Sequence, residues 1–369
     1  MSKIHLIIAD KDEAYVDSLS DYLISKHSNR FQVNAFTKRE YLSEYISQNK
    51  GKADILLLCS EWYTGCDFMD EVNTTIILSG GMLTNEVMDC EVINKYQRGD
   101  KLVGSILNCF AEVNPNKYYI SDKDKKTKMI AVYSPLGGVG KTSIALGASI
   151  KSAEDGKAVF YLNLENIQST SNFFDCKNSQ SISNLIYYIK ENKKNIALKI
   201  EGIRCVDSMY NIHYFSPPDS CVDLNEMSID EMQYLLNKLR LSKDYDEIYI
   251  DMSSNLDEKN ISILNSSDQI ILVIDQDDMS MVKINRFLTE LKLLSKRNDM
   301  NILSKIILVL NKYNENEYIN IKSGELDGMT VSVKIPYIFK PISTYEGNYR
   351  KDMKVEFKNA IAKILKVIE

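Results

Sequence analysis

The sequence predicts an α/β protein of two domains, each built on a parallel sheet, and three observations lead to this prediction. Short apolar runs alternate with stretches of helical periodicity along the 369 residues, as strands joined by crossover helices do. A glycine-rich loop, Ser-Pro-Leu-Gly-Gly-Val-Gly-Lys-Thr at residues 134–142, stands between an apolar run and a helix-like segment. A polar, charged stretch at residues 114–127 divides the alternating pattern into two parts.

Composition excludes several classes of protein. The formal net charge of −6 at pH 7 disfavours a general nucleic-acid-binding coat, so we expect no nucleic-acid partner. No segment approaches the ~20 apolar residues of a membrane span, and the N-terminus lacks the pattern of a secretory leader. Seven cysteines are spread singly, which is typical of a reducing compartment rather than of a disulfide or zinc framework. We therefore expect a cytoplasmic protein.

The first predicted domain covers residues 1–113. Strands are predicted at residues 3–9, 31–36, 55–58 and 75–78, and helices at residues 13–28 and 39–48. Functional groups of a parallel sheet gather at the carboxyl ends of its strands. The polar or reactive side chains that follow the apolar runs are Asp10, Asp12, Cys59, Ser79 and Lys95.

This set of residues resembles the phosphorylation site of the receiver domains of response regulators. The resemblance implies a flavodoxin-like sheet that carries an acidic pair for Mg²⁺, an acceptor aspartate, a Ser or Thr, and a lysine. Cys59 stands at the acceptor position, and a thiol cannot form an aspartyl phosphate. We therefore interpret the domain as a degenerate receiver that binds a partner or dimerises. In this interpretation Cys59 is a small buried hydrophobic residue, with a reactive thiol as the alternative. The acidic residues Asp10, Asp12 and Glu13 are either vestigial or form a charged helix start.

The second predicted domain covers residues 128–369 and follows a linker at residues 114–127. Strands are predicted at residues 129–133, 158–162, 210–215, 245–251, 269–274 and 306–310. Helices are predicted after the glycine-rich loop, from a capping box between Ser228 and Glu231, and at about residues 352–368. We expect the apolar residues of this last helix to pack on the sheet. A membrane-surface helix is the alternative.

The glycine-rich loop predicts a phosphate-binding site. Glycines let backbone amides approach an anion, and the N-terminus of the next helix adds partial positive charge. In this motif the lysine reaches the β- and γ-phosphates and the next hydroxyl binds Mg²⁺, which assigns these roles to Lys141 and Thr142. Asp251, at the end of an apolar strand, is the expected second contact of the metal. The predicted nucleotide contacts in the loop are Gly137, Gly138, Val139, Gly140, Lys141, Thr142 and Ser143.

Residues 128–369 resemble the ParA/MinD family of deviant Walker ATPases. The loop, the Tyr-Asp-x-Ile-x-Ile-Asp strand at residues 245–251 and Asn-Lys-Tyr-Asn at residues 311–314 occur in the family's order. A receiver-like domain in front is the arrangement of the TadZ/CpaE branch, which positions Tad/Flp-type pilus and secretion machinery. The resemblance implies a P-loop NTPase fold with a mainly parallel sheet, ATP and Mg²⁺ as cofactors, and a homodimer with the nucleotide between subunits. It also places Asn311 at the adenine edge and Pro336 beside the base.

The sequence departs from the family pattern in two motifs. Leu136 occupies the place of the signature lysine, which reaches the phosphates of the partner subunit. Asn163 and Glu165 stand where the family has Asp-x-Asp, whose second aspartate positions the attacking water. A displaced carboxylate and a missing charge partner both lower the rate of phosphoryl transfer. We assign Lys141 and Glu165 as the catalytic residues of an ATPase that is slow at most.

We thus expect an ATP-binding localisation or assembly factor for a Tad/Flp-type pilus or secretion system, acting through ATP-dependent dimerisation with weak or absent hydrolysis. Its partners are expected to be a second copy and proteins of the machinery, with indirect membrane contact at the cell pole or inner membrane face. The alternative is an active ParA/MinD-type partitioning or positioning ATPase that cycles on DNA or membrane. A scaffold that binds no nucleotide is disfavoured by Lys141, Thr142 and Asp251.

Overall fold

The structure is a computed structural model, and it describes residues 3–28, 30–63, 69–81, 90–113, 126–174, 180–193, 195–242, 244–298, 300–315, 325–326, 329–342 and 352–368. The chain forms two compact units. The first unit is Met1–Asp122 together with Glu191–Ile203, and the second is Lys123–Lys190 together with Arg204–Glu369. Most of the predicted linker lies outside the described residues.

The strands and helices alternate along most of the chain. The strands are β1 (Ile4–Ala9), β2 (Phe31–Phe36), β3 (Ile55–Cys59), β4 (Thr74–Ser79), β5 (Glu91–Asn94), β6 (Lys128–Tyr133), β7 (Val159–Asn163), β8 (Cys205–Val206), β9 (His213–Tyr214), β10 (Glu247–Asp251), β11 (Gln269–Ile274), β12 (Ile306–Tyr313), β13 (Glu325–Leu326) and β14 (Met329–Pro336). The helices are α1 (Glu13–His27), α2 (Arg39–Gln48), α3 (Gly99–Val113), α4 (Lys141–Glu154), α5 (Ile182–Lys190), α6 (Ile196–Ile203), α7 (Asp223–Glu226), α8 (Ile229–Leu241), α9 (Glu258–Ser266), α10 (Asp278–Asn298) and α11 (Val355–Ile368).

The first unit folds around a parallel sheet of strand order β2-β1-β3-β4-β5. This is the order of flavodoxin-like folds, with the topological switch point between β1 and β3. Successive residues of a strand face opposite sides of a sheet: Leu6 and Ile8 of β1 join the core that contains α1 and α3. Ile7 lies in the other core with Leu42 and Ile46 of α2. The predicted parallel α/β fold of this region is confirmed, although β5 and α3 had not been predicted.

Helix α6 folds with the first unit, although its residues lie within the predicted second domain. It crosses α3 where two glycines meet, because a Cβ built on Gly104 would lie 2.8 Å from the carbonyl oxygen of Gly202. The buried ammonium of Lys199 on α6 pairs with the carboxylate of Glu112 on α3 at 2.7 Å. The segment between the two parts of the second unit therefore completes the first unit, and the compact units differ there from the predicted boundaries.

The second unit is built on a sheet that, among the described residues, has the order β13-β14-β12-β11-β6-β10-β7-β9-β8. The strands from β14 to β9 pair in parallel. Antiparallel pairs occur at the two edges, between β13 and β14 and between β8 and β9. The predicted fold, a mainly parallel sheet with crossover helices, is confirmed. The glycine-rich loop lies between the central strand β6 and helix α4.

Two helix predictions in the second unit are also confirmed. At the start of α8, the N–H of Glu231 donates to Oγ of Ser228 at 3.1 Å, and the N–H of Ser228 donates to Oε2 of Glu231 at 2.8 Å. Helix α11 buries its apolar face, with Phe357 and Ile361 lying against Gly147 of α4. The expected packing of the last helix on its own domain is therefore observed.

Two other expectations are wrong in detail. The strand predicted over residues 210–215 is reduced to β9, since Asn211 has a φ of +56°, which extended backbone does not adopt. Cys205 is disulfide-bonded, whereas the spread of the cysteines had predicted a reducing-compartment pattern without a disulfide framework. In the described ranges, no helix combines the length and the apolar composition needed to cross a membrane.

Candidate functional site

The glycine-rich loop connects β6 to α4 at the carboxyl edge of the second sheet. Gly138 and Gly140 have φ angles of +72° and +97°, in the left-handed region that side chains disfavour. Gly140 also lacks space for a side chain, because a Cβ there would lie 2.3 Å from Nδ2 of Asn311. Helix α4 begins directly after the loop, with Thr142 and Ser143 in its first turn. The N–H groups of such a first turn have no partner within the helix and are suited to bind an anion.

Lys141 is buried within the loop region. Its ammonium donates to Oγ of Ser254 at 2.7 Å and to the carbonyl of Leu136 at 3.4 Å. The Ser254 hydroxyl donates to the same carbonyl at 2.8 Å. Leu136 is 5% exposed, so an apolar group packs inward at the position where the family resemblance implies a signature lysine. The role of Ser254 could not be predicted from the sequence, because a serine three residues after a strand is common.

Three side chains with oxygen ligands meet beside the loop. Oγ1 of Thr142 donates to Oε2 of Glu165 at 3.3 Å. Asp251 ends β10 and is fully buried, and its Oδ2 accepts a hydrogen bond of 2.8 Å from the hydroxyl of Tyr161. Its Oδ1 is buried without a hydrogen-bond partner among the described residues. The structure thus brings together three of the residues that were predicted to surround the metal and the reacting phosphate.

Both carboxyl groups have raised pKa values. Burial, reinforced by the negative charge of Glu165, raises the pKa of Asp251 to about 7. Burial also raises the pKa of Glu165, and the nearby ammonium of Lys141 acts in the opposite direction. A fully buried carboxylate with a second, partly buried carboxylate beside it favours a cation between the two.

The donors present fit a magnesium ion. Mg²⁺ prefers oxygen ligands and is commonly bound by one or two carboxylates, with water and substrate phosphates completing the shell. The unpartnered Oδ1 of Asp251, the carboxylate of Glu165 and the hydroxyl of Thr142 supply ligands of this type. These residues would hold the ion, which in phosphoryl-transfer sites neutralises charge on the phosphate oxygens.

Asn163 connects the two carboxylate-bearing residues through a buried hydrogen-bond network. Its Oδ1 accepts the N–H of Glu165 at 2.8 Å. Its Nδ2 donates to the hydroxyl of Tyr161 at 3.3 Å and to Oγ1 of Thr170 at 3.1 Å, and Tyr161 in turn donates to Asp251. The sequence identified Asn163 only as a departure from Asp-x-Asp. In the structure its neutral side chain avoids a third buried negative charge at this place.

A cavity of about 630 Å³ lies at the ends of β12 and β14. Its lining residues are Lys312, Tyr313, Asn314, Glu315, Pro336 and Tyr337. Pro336 therefore lines a space next to the segment that follows Asn311. Its contact with a nucleobase stays a prediction.

Two residues at or next to the wall of this cavity donate hydrogen bonds to the phosphate loop. Nδ2 of Asn311 donates to the carbonyl of Val139 at 2.7 Å, and Nζ of Lys312 donates to the carbonyl of Gly138 at 2.6 Å. The amide of Asn311 is thus engaged with the loop, and its predicted adenine contact stays a prediction. No role was predicted for Lys312 from the sequence, although it lies in the motif that contains Asn311.

The carboxyl edge of the first sheet holds the other predicted cluster. Oδ2 of Asp10 pairs with the ammonium of Lys95 at 2.9 Å, and its Oδ1 accepts the N–H of Asp12 at 3.0 Å. The side chain of Asp12 caps α1, as a charged helix start would. Burial raises the pKa of the Cys59 thiol, which favours a small buried side chain over a reactive thiolate. Ser79 bonds to the main chain two residues further on.

The sheet, the loop and the carboxylate at the end of the neighbouring strand define the second unit as an α/β domain of the phosphate-binding-loop class. Residues 127–304, just under half of the chain, match the AAA domain family. No curated protein matches the chain.

Several solved structures are similar to the chain. The septum site-determining protein MinD from Pyrococcus horikoshii, complexed with Mg-ADP, is 16% identical, with 66% of this chain and 96% of that chain covered and a TM-score of 0.49. A plasmid partition protein from Borrelia burgdorferi, bound to AMPPNP, is 17% identical, with 66% and 98% covered and a TM-score of 0.47. Cobyrinic acid a,c-diamide synthase from Mycobacterium smegmatis, with bound ATP analog and magnesium, is 14% identical, with 66% and 94% covered and a TM-score of 0.49.

Proposed function

We propose that the second unit binds ATP together with Mg²⁺. The observation that carries this proposal is the buried carboxylate of Asp251 at the loop that holds Lys141 and Thr142, whose Oδ1 has no hydrogen-bond partner within bonding distance among the described residues. A buried carboxylate oxygen without a partner is costly, and a bound cation removes that cost. The N-terminus of α4 offers N–H groups to phosphates in the same place. The AAA domain match over residues 127–304 supports the same proposal.

The role that we propose is that of a localisation or assembly factor for a Tad/Flp-type pilus or secretion system, in which ATP binding drives dimerisation. Weak or absent hydrolysis is supported by the inward packing of Leu136 and by the contact of Glu165 with Thr142. The pilus assignment rests on the resemblance of the domain order, with a degenerate receiver in front. Its partners would be a second copy of the chain and the proteins of the machinery. The protein would act in the cytoplasm, at the cell pole or at the inner membrane face.

Three measurements on purified protein test this proposal: ATP affinity by calorimetry, mass by light scattering with and without ATP and Mg²⁺, and phosphate release. Lys141→Ala should weaken ATP binding at least a hundredfold, because the phosphates lose their cation. The matched control is Lys151→Ala, which removes a lysine from the same helix, one that pairs with Asp155. The control should bind ATP like the wild type.

The same measurements distinguish the alternative, an active ParA/MinD-type ATPase that cycles on DNA or membrane. Binding and dimerisation without turnover support the localisation factor. Turnover near ~1 s⁻¹ or faster, an ordinary enzyme rate, supports the cycling ATPase. Equal ATP affinity in wild type and Lys141→Ala would show that the loop does not bind the nucleotide.

A further inference from the structure

Gln276 makes two hydrogen bonds to the main chain of one residue 38 positions away. Its Nε2 donates to the carbonyl of Asn314 at 2.9 Å, and its Oε1 accepts the N–H of Asn314 at 2.7 Å. We propose that Gln276 is a positioning residue for the base end of the bound nucleotide, because Asn314 belongs to the wall of the 630 Å³ cavity. This inference rests on the proposed binding of ATP.

The wall of the cavity needs such support because the chain is irregular there. Lys312 has a φ of +56°, and the pairing of β12 with β14 shifts register between Leu310 and Tyr313. The regular pairing ends at Tyr313, whose carbonyl accepts the N–H of Tyr337 at 3.1 Å. Backbone polar groups require partners wherever they leave water. The carboxamide of Gln276 supplies to Asn314 the donor and the acceptor that a neighbouring strand would otherwise provide.

The short segment at residues 311–314 connects the two ends of the proposed nucleotide site. At its start, Asn311 and Lys312 donate to carbonyls of the phosphate loop. At its end, Asn314 is held by Gln276 and lines the cavity. Loss of the Gln276 contact should therefore displace the cavity wall and leave the phosphate loop in place.

Gln276 itself is well placed to act as an anchor. It follows β11 by two residues and precedes α10, and β11 pairs with both β6 and β12 in the centre of the sheet. A side chain in a three-residue connection between a central strand and a helix has a well-defined backbone position, because both neighbouring elements are fixed in the fold. The hydrogen bonds from Gln276 to Asn314 consequently hold the cavity wall in a defined position relative to the sheet.

The test compares a nucleotide with a ligand that has no base. The affinities of ADP and inorganic tripolyphosphate are measured in the presence of Mg²⁺, by competition with a fluorescent ATP analogue, for the full chain and two variants. Gln276→Leu removes both hydrogen bonds. Gln276→Glu keeps the size and one acceptor but loses the donor to the Asn314 carbonyl. Both should bind ADP about tenfold more weakly and tripolyphosphate within twofold of the wild type.

Gln233→Leu is the matched control, since Nε2 of Gln233 donates to Oγ of Ser262 at 2.8 Å on α9, and it should not change either affinity. ADP binding that is unchanged in both Gln276 variants would overturn the inference. So would an equal loss for ADP and tripolyphosphate, which would mean that Gln276 supports the whole site. If the wild type bound neither ligand, that result would contradict the proposed nucleotide binding itself, and not the role of Gln276 in particular.

Discussion

The carboxyl edges of the two parallel sheets each contain a buried aspartate, and the two aspartates differ in the partners of their carboxylate oxygens. In the first unit, Oδ2 of Asp10 pairs with Lys95 and its Oδ1 accepts the N–H of Asp12. In the second unit, Oδ2 of Asp251 has a partner, whereas its Oδ1 has none among the described residues. Glu165 adds a second negative charge beside it. At the first edge a hydrogen-bonded lysine balances the aspartate, whereas at the second edge the ammonium of Lys141 offsets only part of the cost of charging Asp251.

This difference shows where a diffusible cation is expected. A buried charge must be balanced by a partner within the protein or by a bound ion. Lys95 is 10% exposed in its side chain and satisfies the first edge, so a metal there would compete with a fixed ammonium. At the second edge, burial and the negative charge of Glu165 raise the pKa of Asp251, and a bound cation would counteract both effects. The two aspartates should therefore respond in opposite directions to removal of their charge.

The largest effect is expected for Asp10→Asn. The substitution removes the fully buried carboxylate that pairs with the partly buried ammonium of Lys95, and breaking a largely buried ion pair in this way costs about 3 kcal/mol. Trp62 is the single tryptophan of the chain and packs against the core of the first unit. Urea unfolding followed by Trp62 fluorescence should therefore show the loss of stability. A change below about 0.5 kcal/mol, typical of a surface substitution, would mean that the ion pair does not balance this edge.

A second test asks whether the first unit depends on α6 as the structure indicates. Gly104→Val places a side chain against the carbonyl of Gly202 and should separate α3 from α6. Overpacking of this kind costs roughly 2 kcal/mol, again measured through Trp62 fluorescence. Gly81→Val is the control in the same unit, because a Cβ on Gly81 meets no atom of the described residues within 4 Å. Equal stabilities for the two variants would contradict the packing of α6 on the first unit.

Asp251→Asn should have the opposite sign to Asp10→Asn. The amide keeps an acceptor for the Tyr161 hydroxyl and removes a charge that burial disfavours, so the ligand-free second unit should gain roughly 1 to 3 kcal/mol at pH 8. Thermal unfolding in EDTA, followed by circular dichroism, measures this gain. The same variant should lose the Mg²⁺ dependence of ATP binding. A destabilised Asp251→Asn protein would argue that the aspartate is already balanced within the fold.

Short-range patterns were sufficient for much of the fold and for the centre of the site. The strand at residues 269–274 was predicted to the residue, because a continuous apolar run is a local signal. Asp251 could be found because its strand has the same kind of signal. The crossing of α3 with α6 and the contact between Gln276 and Asn314 could not be found. Each depends on residues far apart in sequence, and neither glycine nor glutamine carries a periodic pattern that points to its partner.

The smallest expected effect is on the pH dependence of stability, and it separates the contribution of Asp251 from that of the other ionisable groups. A carboxyl with a raised pKa in the folded state contributes stability that is lost as the pH rises through the folded value, here about 7. Between pH 6 and pH 8 the ligand-free wild type should therefore lose about 1 kcal/mol relative to Asp251→Asn. Burial lowers the pKa of His213 and changes stability in the opposite sense, but this contribution is common to both proteins and cancels in their difference. Parallel pH profiles for the two proteins would show that Asp251 is ionised throughout, and the contrast with Asp10 would then rest on geometry alone.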